Sequence, residues 1–129
     1  MNNEILVVDD NADIRILISG ILEDNGFLVR KAANYDQAIN EINKKLPDVA
    51  IFDVKLDKGD NDGIELLTHV KKINSDVPVI MISGHANVQM AVDSLKLGAF
   101  EFIQKPFSTE RLLNFVNRAV ENAELKREK

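Results

Sequence analysis

Each residue that could do joint chemistry in this chain follows a short apolar run. Asp9 and Asp10 come after Val7-Val8, Asp53 after Val49-Ala50-Ile51-Phe52, Ser83 and Gly84 after Val79-Ile80-Met81-Ile82, and Lys105 just after Phe102-Ile103. Three carboxylates drawn into one low-dielectric crevice repel one another, so some must be protonated or a cation must join them. We favour the cation. An all-oxygen donor set suits a hard ion, and Mg2+ uses one or two carboxylates while keeping coordination positions for water and phosphate. A carboxylate in such a site can attack phosphorus to form an aspartyl phosphate, the metal neutralising charge on the transferring oxygens. Asp53, alone at the end of its run, is the expected nucleophile, and the paired Asp9 and Asp10 are suited to hold the metal. Lys105 would bring a flexible point charge to the phosphoryl oxygens and Ser83 a hydroxyl donor.

These residues meet only if the intervening elements bring them together. Ile5-Leu6-Val7-Val8, Phe27-Leu28-Val29, Val49-Ala50-Ile51-Phe52, Val79-Ile80-Met81-Ile82 and Phe102-Ile103 are too short for helices and apolar on both faces, as buried parallel strands must be. Between them lie segments of helical period. Ile14, Leu17, Ile18, Ile21 and Leu22 mark the first, stopped at Gly26, and Tyr35, Ala38, Ile39, Ile42 and Leu46 the second, entered at Asn34 and barred by Pro47. Ile64, Leu67, Val70 and Ile73 mark a third, and Val88, Ala91, Val92 and Leu95, closed by Gly98, a fourth. The fifth starts after Ser108 or Thr109, carries Leu112, Phe115, Val116, Ala119 and Ala123, and meets no Gly or Pro stop before Lys129. The pattern predicts an α/β fold, a doubly wound (βα)5 with a five-stranded parallel sheet; if its order is 2-1-3-4-5, strands one and three are neighbours and the acidic groups share the carboxyl-edge crevice.

Composition narrows the function further. A chain of 129 residues, 45% hydrophobic and 29% charged, suffices for one domain with its own core. The formal net charge of −5 repels phosphate backbones, which argues against direct nucleic-acid binding. The absence of Cys excludes disulfides, thiolate metal sites and Cys nucleophiles. Met1-Asn2-Asn3-Glu4 does not open a leader peptide and no run of eighteen apolar residues follows, so we expect a cytoplasmic protein without a membrane anchor.

Each residue also has a plainer explanation. Asp9-Asp10-Asn11 could be an acidic cap on the first helix, Lys105 a surface charge, Ser83 a turn hydroxyl and Phe102 core packing. Their joint placement at strand ends favours the functional reading. His85 fits a solvent-facing loop better than a metal site, since no second His is near it and His69 lies on a helix. Asp60-Asn61-Asp62-Gly63 resembles a calcium loop, but Lys58 and His69 stand where that pattern requires acids, so calcium is rejected. Lys126-Arg127-Glu128-Lys129 suits a solvated helix end.

Taken in order, Val7-Val8-Asp9-Asp10, Ile51-Phe52-Asp53, Ile82-Ser83-Gly84 and Phe102-Ile103-Gln104-Lys105-Pro106-Phe107 resemble the receiver domain of bacterial two-component response regulators, over roughly Glu4 to Glu121. The segments Ile80 to Ala86 and Gly98 to Phe107 are similar to the NtrC group, and within it the NtrX type. The resemblance implies that Asp9 and Asp10 position Mg2+, that Asp53 is phosphorylated, that Ser83 and Phe102 are the switch residues, that Lys105 contacts the phosphoryl group, and that Lys55 gives the metal its backbone carbonyl. It also implies a sensor histidine kinase as phosphoryl donor and a transcription regulator whose further domains lie downstream, with residues 1–121 as the receiver and 122–129 as the start of a helical linker. One departure is the missing Pro after the phosphoacceptor: Asp57 stands near its place, and the loop through Asp62 is longer than the common pattern.

The expected function is therefore a phosphorylation-dependent switch that promotes its own phosphorylation and dephosphorylation without being a turnover enzyme. Phosphorylation adds roughly −1.5 to −2 charges at Asp53. Ser83 and Lys105 would move toward them and Phe102 inward, altering the face of the fourth helix, fifth strand and fifth helix, which would then pair with a second copy or release a partner. Leu113, Val116, Val120 and Leu125 offer a second seam on the last helix, with core burial as the competing explanation. The Lys105-Pro106 bond is expected to be cis, aiming Lys105 at the site. The main alternative is a small Mg-dependent phosphohydrolase using an aspartyl phosphate. Such enzymes want a nucleophile on strand one and an acid two residues later, where Asn11 stands. A flavin-binding module would want hydroxyls and glycines after strand one, where this chain has anions.

Overall fold

Strands and helices alternate strictly along the chain, in a computed structural model that describes residues 3–59, 61–84 and 88–127. The elements are β1 (Glu4–Val8), α1 (Ala12–Asp24), β2 (Leu28–Ala32), α2 (Tyr35–Lys44), β3 (Val49–Asp53), α3 (Asp62–Ile73), β4 (Val79–Ser83), α4 (Val88–Lys96), β5 (Glu101–Gln104) and α5 (Thr109–Arg127). All the described strand pairings are parallel, as the buried apolar runs predict, and the sheet order is β2-β1-β3-β4-β5, the order expected of a receiver-like fold. Among the described residues no helix is long and apolar enough to cross a membrane.

Alternation along each strand divides the core in two. Leu6, Val8, Ala50, Phe52, Val79 and Met81 pack with residues of α2 and α3, while Ile5, Val7, Val49, Ile51, Ile80 and Ile82 pack with Ile18 and Leu22 of α1 and Leu112, Val116 and Ala119 of α5. Every residue of β3 is buried, so its last residue, Asp53, is carried to the carboxyl edge at the middle of the sheet. There it stands level with Ile82 of β4, one residue before the register that pairs Ser83 with Gln104.

Local signals set the boundaries. The Asn34 side chain accepts the Gln37 N–H at 2.9 Å and Ser108 Oγ the Arg111 N–H at 3.1 Å, opening α2 and α5. Gly26 and Gly98 take φ of 88° and 105°, the left-handed region where α1 and α4 stop. The Lys105–Pro106 peptide is cis.

Five sequence expectations need correction. The second strand runs three residues past Val29, to Ala32, and does not include Phe27; as an edge strand it leaves Leu28 exposed. Leu17 is 50% exposed, because α1 turns Ile18 and Leu22 to the sheet and leaves its neighbours outside. The third helix buries Leu66 and exposes Ile73 at its end, and in α4 the row Val88, Val92 and Leu95 faces outward while Ser94 is buried. Helical period marks which residues share a face without saying what that face meets. The proposed seam on α5 is divided for the same reason: Val116 and Val120 belong to the core, Leu113 packs on it, and Leu125 is exposed.

Candidate functional site

The end of β1 turns sharply into α1 because its first polar residues bond the backbone locally. Asp9 Oδ1 accepts the Asn11 N–H at 2.9 Å, Asn11 Oδ1 accepts the Ile14 N–H at 3.1 Å, and Arg15 Nη1 donates to the Asp9 carbonyl at 2.7 Å. Capping is thus the work of Asn11, and Asp9 is free of that duty. Asp9 is fully buried and Asp10 exposed. Asp53 ends β3, and Ser83, also buried, ends β4. The Ser83 carbonyl accepts the Lys105 N–H at 2.8 Å, which ties the segment after β5 to β4.

From there the Lys105 side chain reaches both buried acids. Its Nζ lies 2.9 Å from Asp9 Oδ2 and 3.2 Å from Asp53 Oδ2. Asp9, Asp10 and Asp53 each offer an oxygen within 4.8 Å of the others. The cleft over Asp10 and Asp53 has a volume of about 480 Å³, and Asn11, Val54, Lys55, Ser83, Gly84, Met90 and Lys105 also line it. Among the described residues, Lys105 is the ammonium seen against the two buried carboxylates Asp9 and Asp53. Burial and the neighbouring charge of Asp9 push the Asp53 carboxyl up to about 6, against the pull of Lys105 and of the Lys55 N–H. Burial also opposes the Lys105 ammonium, but its contacts with Asp9 and Asp53 outweigh this and raise its pKa above the ordinary lysine value.

The donor set fits a hard dication. Asp9 Oδ2 is buried and, apart from its ion pair with Lys105, has no hydrogen-bond donor; a second cation beside it would relieve both that oxygen and the mutual repulsion of the acids. With every ligand an oxygen, the chemistry is that of Mg2+ rather than of a softer metal.

The structure therefore gathers Asp9, Asp10, Asp53, Lys55, Ser83 and Lys105 as the sequence predicts. Phe102 lies apart from them, half-buried on the α2/α3 side of the core. Asp57 points the other way, its Oδ1 accepting the Tyr35 N–H at the start of α2 at 3.0 Å. His69 is half-buried on α3; His85 and Asp60 lie outside the described residues. Sequence reasoning missed Arg15 and Met90. Arg15 could have been found as the cation one and a half turns beyond the acidic pair, but nothing in the periodicity points Met90 at the cleft.

An open doubly wound sheet with an acidic, lysine-bridged cleft over its switch point defines a receiver-type domain. Residues 5–117 match the model of the response regulator receiver domain, and the chain belongs to that family. It is 44% identical over 128 residues to the nitrogen assimilation regulatory protein NtrX of Azorhizobium caulinodans, a match covering 99% of this chain and 28% of that protein. The crystal structure of the receiver domain of NtrX from Brucella abortus superposes with a TM-score of 0.84 at 44% identity, over 91% of this chain and 98% of that one. The solution structure of the beryllofluoride-activated NtrC4 receiver domain dimer is similar at 37% identity and a TM-score of 0.86, over 93% of this chain and 98% of that one. The chain thus spans under a third of the NtrX relative's length.

Proposed function

We propose that this chain is the phosphorylation-dependent switch of an NtrC/NtrX-type transcription regulator, residues 1–121 forming the receiver and residues 122–129 beginning a helical linker to further domains. A carboxylate oxygen of Asp53 attacks the phosphorus of a phosphohistidine on a sensor histidine kinase, the P–O bond forms as the P–N bond breaks, and the imidazole leaves with the electron pair. Asp9, Asp10, Asp53 and the Lys55 backbone carbonyl would hold Mg2+, which offsets charge on the phosphoryl oxygens. Because the Asp53 carboxyl ionises near 6, it is an anion at neutral pH and ready to attack. Lys105, already at 3.2 Å, exchanges part of its contact with Asp53 for the new phosphoryl oxygens, and the Ser83 hydroxyl donates to another.

The observation that carries this reading is Asp53 at the tip of the central strand, bridged by Lys105 to a buried Asp9 and within 4.8 Å of both other acids. Movement of Ser83 and Lys105 toward the phosphoryl group would draw Phe102 inward and reshape the α4/β5/α5 face, where exposed Val88, Val92 and Leu95 offer apolar surface that a second copy would cover. The dimeric state of the activated NtrC4 receiver supports that pairing. Incubation with Mg2+ and acetyl phosphate, read by intact mass, is expected to add one PO3 group to the wild-type chain and none to Asp53→Asn. Absence of labelling, or labelling that survives the substitution, overturns the proposal.

A further inference from the structure

Asp62 is a buried carboxylate that the reaction above does not use. It sits in the first turn of α3, where the positive helix end favours an anion, yet it does not cap its own helix. Its Oδ2 reaches back to accept two backbone N–H groups, of Lys58 at 2.7 Å and of Gly59 at 3.0 Å, in the loop that follows β3. Two charge-assisted bonds to adjacent amides hold that backbone more firmly than the neutral contacts usual in loops. Asn61, at the helix entrance, makes no side-chain cap bond.

The same turn is seated on the end of β3. The Gly63 N–H donates to the Val54 carbonyl at 2.8 Å. A Cβ on residue 63 would collide with the carbonyl of Asp53 and with the Val54 Cα, so only glycine lets α3 begin there. Val54 in turn donates its N–H to the Ile82 carbonyl at 2.9 Å, and Leu56 is buried. The segment from Val54 to Gly59 is therefore pinned at one end by the sheet and Gly63 and at the other by Asp62. Between these two anchors lies Lys55, whose N–H donates to Asp53 Oδ1 at 3.4 Å.

We infer that Asp62 is a positioning residue for the Asp53 site: by holding the Lys58 and Gly59 amides it fixes the backbone of Lys55 beside Asp53, without itself touching the metal or the phosphoryl group. The inference rests on the reading of that site as a Mg2+-assisted phosphoryl acceptor, and the experiment separates the two. Isotope-labelled wild-type protein is titrated with Mg2+ alone and followed by amide NMR. The amides of Asp53 and Lys55 are expected to shift, and those of Lys58 and Gly59 to shift with the same midpoint. If no amide responds, the metal site itself fails; if Asp53 and Lys55 respond while Lys58 and Gly59 do not, the metal site stands and the role of Asp62 is overturned.

Substitution then gives the size of the effect. Loss of a group that orients a metal ligand weakens metal binding roughly 10-fold or more, and Asp62→Ala is expected to raise the Mg2+ dissociation constant by about that factor. Asp62→Asn, which keeps an acceptor oxygen, should recover most of it. Arg30→Met, which perturbs the opposite end of the sheet, should lower thermal stability with the constant unchanged. A folded Asp62→Ala protein that binds Mg2+ as the wild type does refutes the inference, and if that variant does not fold, the wild-type amide titration still decides.

Discussion

Replacing Asp53 by Asn should stabilise the metal-free protein. The carboxyl ionises near 6 in the fold against 3.8 ordinarily, because burial and the neighbouring Asp9 disfavour its charge more than Lys105 and the Lys55 N–H favour it. A raised carboxyl pKa means that the fold binds this proton more tightly than the unfolded chain does, so the associated stability is fully present below about 4 and is lost as pH rises through about 6. At about 1.4 kcal/mol for each factor of ten, the shift bounds the cost of the ionised site to the fold at about 3 kcal/mol at neutral pH, and solvent screening takes it below that bound. Asn carries no charge to desolvate and leaves Lys105 paired with Asp9 at 2.9 Å. In chelator at pH 7.5 the variant should therefore gain up to about 3 kcal/mol, equivalent to roughly 10 °C in Tm for a chain of this size. Thermal unfolding followed by circular dichroism between pH 4 and pH 8 measures the difference. The advantage should shrink as pH falls toward 4, and saturating Mg2+ should raise the wild-type midpoint more than that of the variant. An Asn variant no more stable than wild type at pH 7.5, or an advantage that does not change with pH, would refute the electrostatic account of the site.

Two further substitutions probe the charges on either side. Lys105→Met removes the ammonium in contact with Asp9 and Asp53, so the Asp53 carboxyl should titrate above 6, as followed by carboxyl carbon NMR; an unchanged titration contradicts the assigned pairing. Arg30 pairs through Nε with Glu4 at 2.9 Å and donates to the carbonyls of Glu41 at 2.9 Å and Lys45 at 2.6 Å at the end of α2. Losing these bonds in Arg30→Met should cost about 1–3 kcal/mol, seen as a lower urea midpoint with the same slope, while acetyl phosphate labelling persists; a loss below about 0.5 kcal/mol would show that the cluster is decorative.

Element order, a doubly wound parallel sheet and the acids, lysine and serine at the strand ends are legible in the sequence alone, while the strand order came with the family resemblance. Unbroken apolar runs can be buried only as strands covered on both faces, and right-handed crossovers leave few ways to connect them. What it left open depends on contacts between distant segments. The exposed row on α4 and the buried Ser94 show that periodicity defines a helix face but not its neighbour. Asp62 looked like part of a discarded calcium pattern until folding placed it under the Lys58 and Gly59 amides. The raised carboxyl pKa of Asp53 is likewise a property of the assembled site: Asp9, Asp53 and Lys105 are ordinary side chains along the chain, and only the burial of the two acids side by side makes the charge of Asp53 unfavourable against the pull of Lys105. Desolvation and short-range Coulomb energy depend on three-dimensional distance, which sequence separation does not report.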